Sequence, residues 1–354
     1  MTLPRTHTAI SPAFSSSPPG SKPRTMPWPT SETTLNGPPY SGYPQFCAPD
    51  ALAYDLKTIG FDLVTTANNH SMDKGFQGLA RTLDVLDQAG LQHVGTYRTQ
   101  EAFTQNNGVI VADVVGEFPW LFWDTPTEPT GLQFLRIRIF SESLNTDYTG
   151  ACATLDQEKL QQELAYAESL GTDLIAVMVH WGIEYQTTQN AYQEQVADFL
   201  ISHGADLILG SHSHVPQPLE TRTVTLDDGS TRSGLVCYSL GNFVSNQSPA
   251  TVNVNYTDTT AILNLELTKD PETGETTVSH INYVPLLVLN RGANVQDRYI
   301  ILDVNAAIAE YKAGNTTTVS DAVYQKLEYA LEGCHTILGE KYDTAGSPPA
   351  GSAA

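Results

Sequence analysis

Histidine and asparagine recur in this chain just beyond short apolar runs. Leu207-Ile208-Leu209 leads into Gly210-Ser211-His212-Ser213-His214, Ile175-Ala176-Val177-Met178-Val179 leads into His180, and Val64-Thr65-Thr66-Ala67 leads into Asn68-Asn69-His70. Neutral imidazoles mixed with amide and carboxylate oxygens suit Zn, Mn or Fe(II). A pair of such ions lowers the pKa of a bridging water and clamps the oxygens of a phosphate or carbonyl during hydrolysis. His-x-His alone is a weak signal, and a lone histidine at a strand end is ordinarily just hydrogen-bonded. His93, His203, His280 and His335 take that plain reading. Four histidines and one asparagine at three equivalent positions point instead to a metal site. Such a site needs carboxylates to balance charge and orient the rings. Asp73, three residues after His70, and Glu184, four after His180, are the nearest; both positions equally suit a helix-capping or loop carboxylate.

The elements that must position these residues echo one another. Gly60-Phe61-Asp62-Leu63, Gly171-Thr172-Asp173-Leu174 and Gly204-Ala205-Asp206-Leu207 each open one of the three runs. In each, a helix ends at glycine and a short strand follows. Parallel α/β sheets gather the carboxyl ends of their strands on one edge, where ligands bind. Asn69, His70, His180, His212 and His214 therefore belong to one place. Helices are expected over 51–59, 75–89 (closed by Gly90), 155–170 and 192–204, alternating with strands over 61–67, 91–95, 172–180 and 205–210. The last apolar run stops at Pro216. Later strands over 233–243, 260–268 and 280–289 form a more antiparallel half, followed by helices near 303–312 and 319–333. The pattern is α/β with a mainly parallel sheet.

Composition narrows the function. With 18 basic against 39 acidic residues the net charge is −21, which disfavours nucleic acid and anionic membranes as partners. No apolar run reaches membrane-spanning length. Cys47, Cys152, Cys237 and Cys334 contain no CxxC pair, so zinc-ribbon and dithiol redox chemistry are out. Residues 1–31, rich in Pro, Ser and Thr, read as disordered or foreign to the fold and lack the apolar centre of a signal peptide. Residues 32–290 read as one domain, 291–343 as a C-terminal helical segment and 344–354 as a disordered tail.

ANNHSMDKG (67–75), HWGIEY (180–185), GSHSHVPQP (210–218) and YSLGNFVSNQ (238–247), in that order, resemble the CapA/PgsA family of poly-γ-glutamate capsule biosynthesis proteins, a branch of the calcineurin-like metallophosphatases. The resemblance covers roughly residues 32 to 247. It implies a four-layer α/β/β/α sandwich with two divalent ions, identity open among Mn, Fe and Zn. Position by position, it implies metal ligation by Asn69, His180, His212 and His214, and a proton donor or electrostatic stabiliser at His70. Asn242 would shape the site edge or simply make a turn. It further implies an anionic polymer or phosphoester as substrate, other capsule-synthesis subunits as partners, and an extracytoplasmic location held by an N-terminal anchor. The rival reading is a non-catalytic subunit of polymer assembly or export on the same scaffold.

Two family features are missing. No strand ending in Gly-Asp precedes residue 60, and the Asn-Leu-Glu motif survives only as Glu32, in Thr30-Ser31-Glu32. Shifting the reading frame by two nucleotides lets the codons of residues 25–31 spell Asp-Ala-Leu-Ala-Asn-Leu and run into Glu32. The same shift over 118–131 lets the codons spell a strand and a Tyr-Thr-Tyr-Gly-Thr-Asn-Gly loop like the family's. The alternative is a divergent loop. An N-terminus that is truncated or misread would account for the absent anchor and for the missing strand.

Overall fold

Three left-handed glycines carry helices into strands. Gly60, Gly171 and Gly204 have φ of 106°, 66° and 110°, a region where a side chain would be strained. The aspartate two positions on is each time paired with a cation: Asp62 with Lys57 at 2.8 Å, Asp173 with Lys269 at 2.9 Å and Asp206 with Arg232 at 2.7 Å. These pairs pin the amino ends of the strands, leaving the opposite edge for histidine and asparagine.

The computed structural model describes residues 30–99, 101, 102, 105, 109–114, 130–138, 157–270, 272–293, 295, 298–316 and 319–344. Nearly all of the N-terminal segment, the 118–129 stretch and the tail beyond residue 344 lie outside the described residues. Helices α1 (Ala51–Thr58) and α2 (Gly75–Ala89) flank strand β1 (Leu63–Thr65), which pairs in parallel with β2 (Gln92–Val94). Gly90 ends α2 in the left-handed region, at φ 74°. Leu79, Leu83 and Leu86 of α2 are buried, each burial contributing about 1.5–3 kcal/mol.

The main sheet has the order β3-β4-β5-β6-β8-β7. Its members are β3 (Ile110–Val114), β4 (Thr130–Arg138), β5 (Leu174–His180), β6 (Leu207–Ser211), β7 (Pro216–Thr225) and β8 (Thr231–Leu240). Strands β4, β5, β6 and β8 run parallel. Every residue of β5 is buried, as expected of a strand covered on both faces. On one face lie α3 (Gln157–Ser169) and α4 (Ala191–Ser202), with Leu160, Leu164, Val196 and Leu200 packed against Val177 and Ile208.

The other face packs on a second sheet, β11-β10-β9, made of β9 (Thr259–Lys269), β10 (Thr276–Asn290) and β11 (Tyr299–Asp303). Ala176, Leu207 and Leu235 meet Ala261 and Tyr283 there, together with Leu63 and Val94 from the β1–β2 pair. A short helix, α5 (Pro249–Val252), precedes β9. Helices α6 (Val304–Lys312) and α7 (Asp321–Cys334) cover the outer face of the second sheet, where Val304, Ile308 and Leu327 pack on Leu287. The layer order is thus helix, sheet, sheet, helix, the four-layer α/β/β/α sandwich that the motifs imply. The segment 291–343 holds a strand, β11, as well as its helices, and that strand pairs antiparallel with β10.

One departure from the sequence reading concerns Pro216. It does not end the run after β6; it begins β7, the ten-residue edge strand. Proline lacks the N–H a central strand needs, but the first residue of an edge strand can do without it.

Candidate functional site

The carboxyl ends of β1, β5, β6 and β8 converge. His180 is the last residue of β5, and Ser211, paired with it in register, ends β6 just before His212 and His214. Close approach is required here. At Gly210 a Cβ would collide with the Tyr238 carbonyl and the Trp181 indole. The Trp181 indole N–H donates to that carbonyl at 2.9 Å, and the two rings stack at 5.6 Å. Glycine in β6 therefore lets two parallel strands and a tryptophan share one level, directly beneath the histidines.

His180, only 3% exposed, has its Nε2 at 2.9 Å from Oδ1 of Asn69, and its Nδ1 at 3.0 Å from Ser211 Oγ and 3.8 Å from Glu32 Oε1. The His180 and His212 rings lie 4.6 Å apart, and His212 and His214 6.3 Å apart. Asn242 Oδ1 stands 3.0 Å from His214 Nδ1, while Glu184 Oε1 stands 3.8 Å from His214 Nε2. His70 takes the other flank. Its Nδ1 is 2.8 Å from Asp73 Oδ2, and that same oxygen accepts the Phe46 backbone N–H at 2.7 Å. Asp73 thus orients an imidazole and anchors a loop at once.

Backbone strain gathers at the same place. Among the described residues, five other than glycine have positive φ, and three belong here: Tyr185 at 68°, His212 at 103° and His214 at 61°. Bulky residues leave that region unless their surroundings hold them there, and such outliers cluster at functional sites.

The electrostatics are those of a desolvated pocket. Burial raises the Glu32 carboxyl above the usual range, opposed by His214 and His70. Burial likewise lowers His212, opposed by Glu184. Nδ1 of His212 is buried and has no hydrogen-bond partner. An orphaned imidazole nitrogen amid an amide oxygen, two further histidines and a carboxyl is a donor set of the right chemistry for a divalent cation. Among the described residues, however, no group of three or more His, Cys, Asp or Glu side chains stands close enough to share one ion.

All residues singled out from the sequence, Glu32, Asn69, His70, Asp73, His180, Glu184, His212, His214 and Asn242, fall within this one contact network. Asp73, Glu184 and Asn242 each approach a histidine. His203 and His335 have partners elsewhere, on Phe199 and Asp343. Sequence reasoning missed Ser211, Phe46 and Tyr185. Ser211 was legible inside Gly-Ser-His-Ser-His as a hydroxyl at strand level; nothing in the sequence marked Phe46, whose edge meets the His70 ring at 4.5 Å.

Fold and site together describe a two-sheet α/β/β/α sandwich with its polar centre at the strand carboxyl ends. The family described as bacterial capsule synthesis protein PGA_cap matches residues 30–247, and the chain belongs to that family. It is 30% identical over 198 residues to the PGA biosynthesis protein CapA of Bacillus subtilis, covering 54% of this chain and 44% of that one. It is 29% identical over 195 residues to the capsule biosynthesis protein CapA of Bacillus anthracis, covering 54% and 42%. The match thus spans less than half the length of these relatives. Among solved structures, the NAD nucleotidase NadN of Haemophilus influenzae superposes with a TM-score of 0.44 at 12% identity, covering 90% of this chain and 53% of that one. A likeness of that size adds nothing to the layer order already described.

Proposed function

We propose that this chain is a metal-dependent phosphoesterase of capsule or poly-γ-glutamate synthesis, acting outside the cytoplasmic membrane on a phosphoester or an anionic polymer alongside other capsule-synthesis subunits. The observation that carries the reading is the meeting of Asn69, His180, His212 and His214 at the carboxyl ends of β1, β5 and β6, with two of the histidines on strained backbone. Asn69, His180, His212 and His214, with Glu32, would hold two divalent ions of the Mn, Fe or Zn kind. Such a pair, when bound, supplies an activated water and a clamp for phosphoryl oxygens.

The chain's own residues do the rest. Asp73 holds Nδ1 of His70 and so directs Nε2 toward the site, where it can carry a proton to a leaving oxygen. Asn242 fixes the His214 ring from behind, and Ser211 does the same for His180. Trp181, fully buried, closes the floor against water.

A second reading, a non-catalytic subunit of polymer assembly or export, is favoured by Thr30-Ser31-Glu32 standing where the family's Asn-Leu-Glu is expected and by the lack of a Gly-Asp strand end before residue 60. Hydrolysis of bis(p-nitrophenyl) phosphate by the full chain with added Mn²⁺ or Zn²⁺, and its loss in His70→Ala, decides between the two. Absence of turnover with every metal would leave the non-catalytic reading.

A further inference from the structure

The mouth of the site carries aromatic surface that the proposed chemistry does not use. Phe46 packs edge-on against His70, and Tyr43, 85% exposed, packs at 6.4 Å and 65° on Phe46. Across the histidines, the Tyr185 ring lies 5.7 Å from His214 at 31°. Burial raises the Tyr185 phenol, and so does Glu184 beside it.

Tyr185 is held as a built feature would be. Its backbone is left-handed at φ 68°, its N–H donates to the Ser213 carbonyl at 2.7 Å, and its hydroxyl accepts from Gln247 Nε2 at 3.3 Å. A ring fixed at both ends on strained backbone loses little entropy when a partner stacks on it. Phe46 is held by its backbone N–H on Asp73 and by its edge-on contact with His70.

Charge argues about the occupant. Glu32 and Glu184 face the histidines, and the chain as a whole carries −21. A long polyanion would meet like charge, whereas a single phosphoester with one attached ring would bring apolar surface to these rings.

We propose that Tyr43, Phe46 and Tyr185 form a stacking wall continuous with the histidine cluster, and that its ligand is a small phosphoester bearing a ring with a stackable apolar face, a planar nucleobase or the C–H face of a pyranose. This rests on the reading that the histidines receive a phosphoester. It narrows the substrate to a ring-bearing one and makes Tyr43 and Tyr185 specificity-determining residues.

The test is calorimetric titration of the full chain, with Mn²⁺ present, using adenosine 5′-monophosphate, glucose 1-phosphate and glycerol 3-phosphate. A ring-bearing ester should bind roughly five- to tenfold more tightly than glycerol 3-phosphate, as expected for one stacked ring. Which ring-bearing ester leads identifies the ring as base or sugar. Tyr43→Leu and Tyr185→Leu should collapse that ratio toward unity, and Tyr43→Phe should preserve it. Equal or absent binding of the three esters, or a ratio untouched by both leucine variants, overturns the proposal. Ring-dependent binding without turnover defeats the hydrolase reading alone, while turnover without ring preference defeats this inference alone.

Discussion

Oδ1 of Asn69 stands 2.9 Å from Nε2 of His180, although 111 positions separate the two residues. Donor atoms about 3 Å apart are what neighbouring ligands of one ion at about 2.1 Å would be. The contact therefore reads equally as a hydrogen bond and as two corners of a coordination shell.

If those corners bind an ion, the metal will stabilise the fold. Mn²⁺ or Zn²⁺ at a hundredfold excess over its dissociation constant is expected to add about 2.7 kcal/mol. Melting should then rise by several degrees, a gain that His180→Ala and His212→Ala each abolish. Differential scanning calorimetry with and without a chelator reads this directly; an identical rise in both variants would place the ion elsewhere.

His70 and Asp73 should separate by magnitude. His70→Ala is expected to lower kcat by roughly a hundredfold or more, the range for a lost general acid. Asp73→Asn keeps the ring but weakens its orientation, and should cost about tenfold to a hundredfold. Steady-state kinetics on bis(p-nitrophenyl) phosphate checks both, and an Asp73→Asn loss exceeding that of His70→Ala would contradict the assigned order.

Gly210→Ala tests the packing beneath the site. The added methyl has to displace the Tyr238 carbonyl or the Trp181 indole, and both are fully buried. Overpacking of this kind costs about 1–3 kcal/mol, and a forced backbone shift adds to it. Urea denaturation followed by tryptophan fluorescence would show the midpoint fall.

Buried thiols give a check on the core. Burial pushes the Cys237 and Cys334 thiols up to about 12 from an ordinary 9. That lowers their thiolate fraction near pH 8 by about a thousandfold. In a chain carrying Cys47→Ser and Cys152→Ser, which leaves Cys237 and Cys334, both buried in the two-sheet core, a thiol-labelling reagent should react only after denaturant is added. Rapid labelling of the native chain would mean the two-sheet core is looser than described.

The coding DNA offers the last test. Read two nucleotides along, its codons over residues 25–31 are expected to spell Asn-Leu before Glu32, and those over 118–131 the Tyr-Thr-Tyr-Gly-Thr-Asn-Gly loop. Sequencing the gene is sufficient, and codons unable to do so leave a divergent loop.

Much of this arrangement was legible because the chemistry lies at strand ends. The thrice-used glycine-x-aspartate-leucine start marked three strands whose carboxyl ends meet, though not that β1 pairs with β2 in a small sheet of its own rather than beside β5 and β6. Less legible was whatever depends on contacts across the chain. Phe46 reaches Asp73 by its backbone N–H, which any residue type could supply, so no side-chain pattern announced it. Strand β7 was hidden by Pro216, since proline reads as a terminator unless the strand is known to lie on an edge. Glu184 and Asn242 were visible as candidates, but only distance could tell an orienting partner from a loop residue.

The single oxygen of Asp73 shared by His70 and Phe46 has a mechanical consequence. Whatever presses on the 40–47 loop also tilts the imidazole, so the outer surface of the pocket and its proton carrier form one lever. Transplanting a different loop between Tyr40 and Cys47 would retune the aim of the His70 ring without touching the histidine itself. Evolution and protein engineering alike have a handle there, several residues away from the chemistry it adjusts.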